Sequence, residues 1–419
     1  MKSNLLTKSA LIYTFLTLSI FTSALSIFVL QAVSYYQVSN ASAGALESYQ
    51  NLTQIVLSFI AFSILLNLGY KRAMVIMLTL MSLLCIAMPF LNYFWILKVY
   101  LVFLGFALVF LKIGVYSSVG LVTNSQKSHA FFVAIVETTW MVGSVIGMWV
   151  LSFFLHQINW LYAFWVFAFI GLVNVALWLV TPLNEDSLVI EKNKKIGEQL
   201  KDILQLCKSK LILSFIAIFF VAGLVEQGIN AWLPAFYSSV INLPSNYSVQ
   251  LASLLLLSMA FGRVIVIFLL NYIRWDKILL IFYSCGALFL IVMLSLVKNS
   301  HGIAISSWAS VPLVALLFPL IGIFIAPTSP LLNSTILSTF PKAKHTLVMT
   351  IVTIFGALTG SIAARLLGEL FDWFGGIQAF RLTTVVPLII VAILILPYGK
   401  MINRHRDLIV KNNDKDDGN

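Results

Sequence analysis

Four ionisable side chains, Lys112, Glu137, Glu226 and Arg263, stand inside apolar runs of roughly 20 residues or more. A charge in hydrocarbon costs about 2.5–3.5 kcal/mol even on the mildest insertion scale. Residues kept at that cost mark places where chemistry is done. Lys112 and Glu137 lie on consecutive runs. At helical rise they sit about 14 Å and about 12 Å from the ends nearest their shared loop. At that common depth they can pair and escape full desolvation. The pair reads equally as a bridge that a ligand or proton opens and as a fixed structural one. Glu226 lies about 22 Å along its own run, with no cation matched to it in a neighbouring run. A carboxylate so placed takes up a proton readily. It can equally be a neutral group bonded to the next helix. Gln227 and Asn230 extend its polar surface, and Trp232 adds an aromatic face. Trp140, three residues after Glu137, could stack on a ring or sugar, or fill core.

Arg263, in AFGRVIV, reads as an interhelical clamp or as a contact for an anion. Arg365 and Glu369 are four apart, the spacing of a helix-surface pair, and Lys98 is placed to snorkel. Pro319, Pro327 and Pro330, followed by Asn333, Ser334 and Thr335, remove helix hydrogen bonds and kink the rod. Such a kink is a bending point that bares carbonyls, or a static bend. The proton-coupling candidates are therefore Glu226 and Glu137. The candidates for binding a solute are Lys112, Glu137, Trp140, Glu226, Gln227, Asn230 and Asn333.

The elements that carry these residues are legible as twelve apolar spans. They fall near 9–33, 44–67, 73–91, 94–121, 129–155, 160–182, 211–240, 247–271, 276–297, 307–335, 345–370 and 378–400. Each can cross a hydrocarbon layer of about 30 Å as a helix, the form that satisfies its own backbone there. The chain of 419 residues is 60% hydrophobic and 10% charged, with mean hydropathy +0.99. Soluble domains average about 25% charged residues. The net charge of +11 does not gather on one soluble face, which argues against nucleic acid. Of the Lys and Arg outside the spans' interiors, 20 fall in one class of loop and only Lys298 and Arg381 in the other. That asymmetry puts both termini in the cytoplasm and favours an even number of spans. Tyr35, Tyr36, Tyr93, Trp95, Trp160, Trp308 and Trp373 near the outer ends read as interface anchors. The basic N-terminus continues into the first span, which reads as uncleaved.

The stretch 183–210 is rich in Lys and Glu and divides the spans six and six. Ile196, Leu200, Ile203, Leu204 and Cys207 recur at helical spacing, predicting an amphipathic helix on the membrane surface. The halves echo each other. LLNLGYKRAMVI (65–76) and LLNYIRWDKILLI (269–281) occupy corresponding breaks. Gly143-x-x-x-Gly147 in span five matches Gly356-x-x-x-Gly360 in span eleven, a spacing that lets helix backbones approach. Together these predict a parallel repeat of six-helix units. The organisation is a bundle over 1–182, a linker over 183–210, a second bundle over 211–400 and a tail over 401–419.

Cys85, Cys207 and Cys285 form no metal or redox motif. The chain has no G-x-x-x-x-G-K-[ST], H-E-x-x-H or G-x-S-x-G sequence, and its five histidines fall at span ends or in loops. These patterns predict neither an enzyme nor a cofactor nor a metal site.

Six plus six helices, a basic central loop and basic two–three and eight–nine loops resemble the major facilitator superfamily. Gly69, Lys71 and Arg72 match the end of that family's two–three loop motif, whose Asp is absent here. The resemblance implies gating or structural roles for Lys71, Arg72, Arg274 and Lys277, alongside Arg263, Pro327 and Pro330. EQGINAWLPAFY (226–237) and GIFIAPTSPLLNSTI (322–336) are similar to the fucose and glucose–galactose proton-symporter group. That group's acidic residues in spans one and four are missing, with Lys112 standing in span four. The Gly-Pro signature of drug–proton antiporters in span five lacks its proline.

The expected fold is therefore an all-α membrane protein with twelve transmembrane helices in two pseudo-symmetric six-helix bundles. The expected function is secondary active transport of a small polar or charged organic solute by alternating access. Proton-coupled uptake across a bacterial inner membrane is the first reading. Proton-driven export of a siderophore, metabolite or drug-like compound is the alternative, and a transporter-like sensor without flux a lesser one. The partners are solute, protons and membrane lipids, not nucleic acid, and the expected state is a monomer.

Overall fold

The computed structural model describes residues 2–58, 60–122, 126–157, 159–183, 205–297, 308–337, 339–340 and 345–416. Among them there is no strand. Eleven helices are long and apolar enough to cross a membrane: Leu5–Ser34, Tyr70–Phe90, Phe94–Val119, Thr138–Leu155, Trp160–Val180, Lys210–Val240, Ser245–Leu269, Trp275–Val297, Leu313–Ile336, Ile351–Phe374 and Gly376–Ile402. The remaining predicted span, the second, is formed by the helices Leu46–Ser58 and Ala61–Leu68. The protein is thus an all-α, multi-pass membrane protein with the twelve predicted helices in place. Two boundaries differ from the sequence reading. The last helix runs on to Asp416, through most of the stretch read as a tail. The predicted surface helix falls mostly on 184–204, outside the described residues; Cys207 lies in a short helical turn after it.

By contacts the chain divides into Met1–Lys194 with Ala231–Leu256, and Lys195–Asn230 with Leu257–Asn419. In the first unit, span one packs on five and six, span three on four and six, and span two on four. Gly143 and Gly147 make the one–five crossing. A methyl at Gly143 would come within 2.7 Å of the Leu16 carbonyl oxygen, and one at Gly147 within 3.0 Å of that of Ile20. The Ser23 hydroxyl donates to the Ile20 carbonyl at 2.6 Å, where span one is interrupted between Lys2–Thr22 and Ala24–Ser34. Such back-bonding bends helices. The C-terminal end of span five and the N-terminal end of span eight meet in this unit. Trp149 Nε1 donates to Ser253 Oγ at 3.0 Å, and Ser152 Oγ to the Asn246 carbonyl at 2.8 Å.

A buried polar knot joins spans one and six. Asn174 Nδ2 donates to Thr17 Oγ1 at 3.0 Å, Thr14 Oγ1 to Asn174 Oδ1 at 3.2 Å, and Trp178 Nε1 to Thr14 Oγ1 at 2.7 Å. Asn174 is fully buried. Asn174→Ala removes the amide that bridges the two threonines, whose hydroxyls keep their own-helix bonds to Ala10 and Tyr13, and leaves a void. We expect it to cost about 1–3 kcal/mol, read as a lower melting temperature in detergent, with an unchanged melt counting against the knot.

In the second unit, span nine packs on twelve and on ten. Gly223 of span seven faces Thr359 of span eleven, where a methyl would come within 2.7 Å of Thr359 Cγ2. One–five and three–six in the first unit are thus matched by seven–eleven and nine–twelve in the second, as a six-helix repeat requires. Gly356, one of the predicted close-approach glycines, is not tight: the nearest atom to a methyl there is a Phe219 ring carbon at 3.7 Å. The small residue has moved to the partner helix. Among the predicted anchors, Tyr35, Tyr93, Trp95, Trp308 and Trp373 are exposed. Trp160 instead is buried against Phe28, Tyr35 and Phe164. Its ring fills core because span six begins there in a tight 3₁₀ turn.

Candidate functional site

Glu226 is not isolated. Ser329 Oγ of span ten donates to Glu226 Oε2 at 3.1 Å. Arg263 of span eight lies close enough for its charge to act on the same carboxylate. Both residues lie near Glu226 because of how spans eight and ten cross. Pro327 has no N–H, so the Ile323 carbonyl loses its helical donor. Span ten accordingly breaks between Ile321–Ile325 and Thr328–Leu337. Gly262 packs against that freed carbonyl, where a methyl would come within 2.5 Å of Ile323 O and 2.8 Å of its Cα. Arg263 is the next residue, so the closest approach of the two helices sets where its guanidinium goes.

The break is closed by side chains. Thr328 Oγ1 donates to the Ile325 carbonyl at 2.7 Å and accepts from the Tyr283 hydroxyl of span nine at 3.1 Å. Tyr283 is also within electrostatic reach of Glu226. Glu226, Arg263, Ser329, Thr328 and Tyr283 therefore form one polar centre from four helices of the second unit. Two atoms of this region lack hydrogen-bond partners among the described residues, Arg263 Nε and Asn333 Oδ1, and both are buried. Asn333 lies one turn from Ser329, on the same helix face. A buried donor and acceptor left unmade are costly unless something completes them. A solute offering an acceptor to Arg263 and a donor to Asn333 would do so.

Other candidates are placed differently. Asn230 turns its amide back to the Glu226 carbonyl at 2.9 Å, bracing its own helix. Gln227 is half-buried. Lys112 Nζ sits 4.5 Å from the centroid of the Trp140 ring, a cation–π contact, and Trp140 also touches Phe15. The Glu137 side chain, and with it the predicted Lys112–Glu137 pair, lies outside the described residues. Lys71 Nζ donates to the Thr181 carbonyl at the end of span six, at 2.7 Å, while Arg72 is exposed. Arg274 grips Asp276 through two bonds, at 3.2 and 2.9 Å, and Lys277 is exposed. Arg365 and Glu369 pair at 3.0 Å as their spacing predicted. Sequence reasoning missed Ser329, Thr328 and Tyr283. Their only signal was the position of the first two beside Pro327 and Pro330.

The Major Facilitator Superfamily family model matches residues 10–364. The chain belongs to the major facilitator superfamily. As a member it is a membrane transporter rather than an enzyme. No curated protein matches it. Among solved structures, the nucleoside transporter NupG superposes with a TM-score of 0.70 at 15% identity, over 96% of this chain and 99% of that one. A bacterial homolog of the human lysosomal transporter Spinster, inward-facing and occupied, gives 0.72 at 14%, over 96% and 98%. A D-xylose-proton symporter gives 0.67 at 12%, over 93% and 96%. At these identities the likeness is one of fold. The two stretches that carry the resemblance to sugar symporters, 226–237 and 322–336, supply the two sides of the Glu226–Ser329 bond.

Proposed function

We propose that this superfamily member takes up a small polar or charged organic solute together with protons, by alternating access. Glu226 is the proton-coupling carboxylate. Arg263, Ser329 and Asn333 hold the solute. The observation that carries this reading is the Ser329 bond to Glu226, with the Arg263 charge within reach, beside a buried Arg263 Nε and Asn333 Oδ1 that have no partner among the described residues. A bound solute with an acceptor group competes with Glu226 for the arginine. That competition links solute occupancy to the proton on Glu226, which is what coupling requires. The asymmetry of basic loops favours a bacterial inner membrane with both termini cytoplasmic, and the protein acts as a monomer among lipids.

The test is a solute panel of nucleosides, sugars, short peptides and small organic acids in proteoliposomes under an imposed pH gradient. Uptake of at least one class driven by external acid supports the reading. Flux against the proton current would instead make the protein an exporter of a metabolite, siderophore or drug-like compound. No gradient-dependent flux of any class would sink the proton coupling.

A further inference from the structure

A second acidic residue, which the spacing of buried charges did not single out, is sealed in the first unit. Glu47 lies in the first turn of Leu46–Ser58, at the outer end of span two, and is 5% exposed. Asn51 Nδ2 donates to its Oε1 at 3.2 Å. Its other oxygen, Oε2, is buried and has no hydrogen-bond partner among the described residues. Gln50, three residues on and 6% exposed, has a buried amide oxygen in the same condition. Residues three apart share a helix face. Two neighbouring acceptors thus lack a donor.

The elements packed on this helix do not supply one. Ala24–Ser34, Asn40–Gly44 and Ala61–Leu68 contain no ionisable residue. On Phe94–Val122, the cation nearest in sequence to the outer end is Lys98. Its Nζ lies over the rings of Tyr49 and Phe94, 5.5 and 5.1 Å from their centroids. Tyr100 of the same helix gives its hydroxyl proton to the Phe21 carbonyl at 2.9 Å. Lys112 and Tyr116 lie three turns or more further along. Gly105 brings span four so close that a methyl there would come within 2.7 Å of the Gln50 carbonyl oxygen, so the seam is shut by backbone.

An ionised carboxylate cannot remain buried with one oxygen bare. A protonated one resolves the arrangement, because its O–H becomes the missing donor. We propose that Glu47 is a second proton-binding site, carrying its proton on Oε2 with the Gln50 amide oxygen as recipient. The proton can leave only when the outer seam between spans two and four loosens, so its release reports on that seam. The site is separate from Glu226 and stands whether or not Glu226 couples transport.

The test needs no solute. Infrared difference spectra of the full-length protein in liposomes, between acidic and strongly alkaline buffer, should contain the carbonyl stretch of a protonated carboxyl that persists at neutral pH. Glu47→Gln should delete that component, and Glu226→Gln should not. Asn51→Leu, which removes the bond to Oε1, should keep its amplitude and move it to higher frequency. Superimposable spectra of wild type and Glu47→Gln would overturn the proposal. If Glu47→Gln does not fold, a spectrum unmoved by Asn51→Leu does so instead. Disappearance of the component on adding sodium chloride at constant pH would also overturn it, making the site one for a metal cation.

Discussion

Glu226→Gln is expected to abolish accumulation of the solute in proteoliposomes while leaving exchange of internal for external solute intact. Glutamine copies the shape and the hydrogen-bonding of a protonated carboxyl but can neither lose nor gain a proton. The loaded carrier should still reorient, yet nothing would tie that movement to the proton gradient. A gradient of about one pH unit supplies about 1.4 kcal/mol per proton, hence about tenfold accumulation for one proton per solute. In the variant that factor should fall to about one, because a carrier with no coupled proton reaches only equal concentrations. Ser329→Ala, which removes the hydrogen bond from Ser329 to this carboxylate, should instead shift the pH at which uptake is half-maximal and keep accumulation. Full accumulation by Glu226→Gln would remove this residue from the coupling step and move attention to Glu137.

The second large effect concerns two glycines that look alike. Gly143→Ala should destabilise the protein by about 1–3 kcal/mol, the usual cost of overpacking, whereas Gly356→Ala should be close to neutral. At Gly143 the added methyl meets the Leu16 carbonyl oxygen at 2.7 Å and the Leu16 Cα at 3.3 Å, backbone atoms that move only if span one moves. At Gly356 it meets a phenylalanine ring at ordinary contact distance. Alanine also has the higher helix propensity, which offsets part of any cost at the looser site. Thermal melts of the purified variants by size-exclusion chromatography decide the matter. Equal melts for the two would mean that the surroundings of Gly143 are no tighter than those of Gly356.

The spans were legible because each apolar run is longer than a soluble helix needs and is closed by charges of consistent sign. Individual site residues were legible for the same reason: Glu226 and Arg263 are conspicuous in oil. Their meeting was not. Which way a helix face points is fixed by its neighbours, and here by Gly262 against Ile323, a contact between residues 61 positions apart. In an apolar stretch, glycine and isoleucine carry no mark of that partnership. Ser329 and Thr328 were hidden because a hydroxyl in a membrane helix often bonds its own backbone, as those of Thr14, Ser118 and Thr359 do. Glu47 was passed over because Ser48, Tyr49, Gln50 and Asn51 follow it and give the turn the look of an interface. Its burial comes from span four, at Gly105. The two GxxxG patterns show the limit from the other side: the same spacing sets Gly143 against backbone in one half, while in the other Gly356 meets only a ring and the close approach falls to Gly223.

The break at Ala326–Pro327 turns the C-terminal part of span ten into a lever. Thr328–Leu337 is about 15 Å long, pivoting where the Thr328 hydroxyl bridges Ile325 and Tyr283. A swing of about 10° about that pivot would carry Asn333 by about 1.3 Å but Ser329 by only about 0.3 Å. The grip on Glu226 would therefore outlast the motion, while the asparagine swept closer to or further from whatever it holds. A short arm and a long arm on one rigid piece give a tight, slow contact and a loose, fast one, and the proton-coupled carrier proposed above needs one of each.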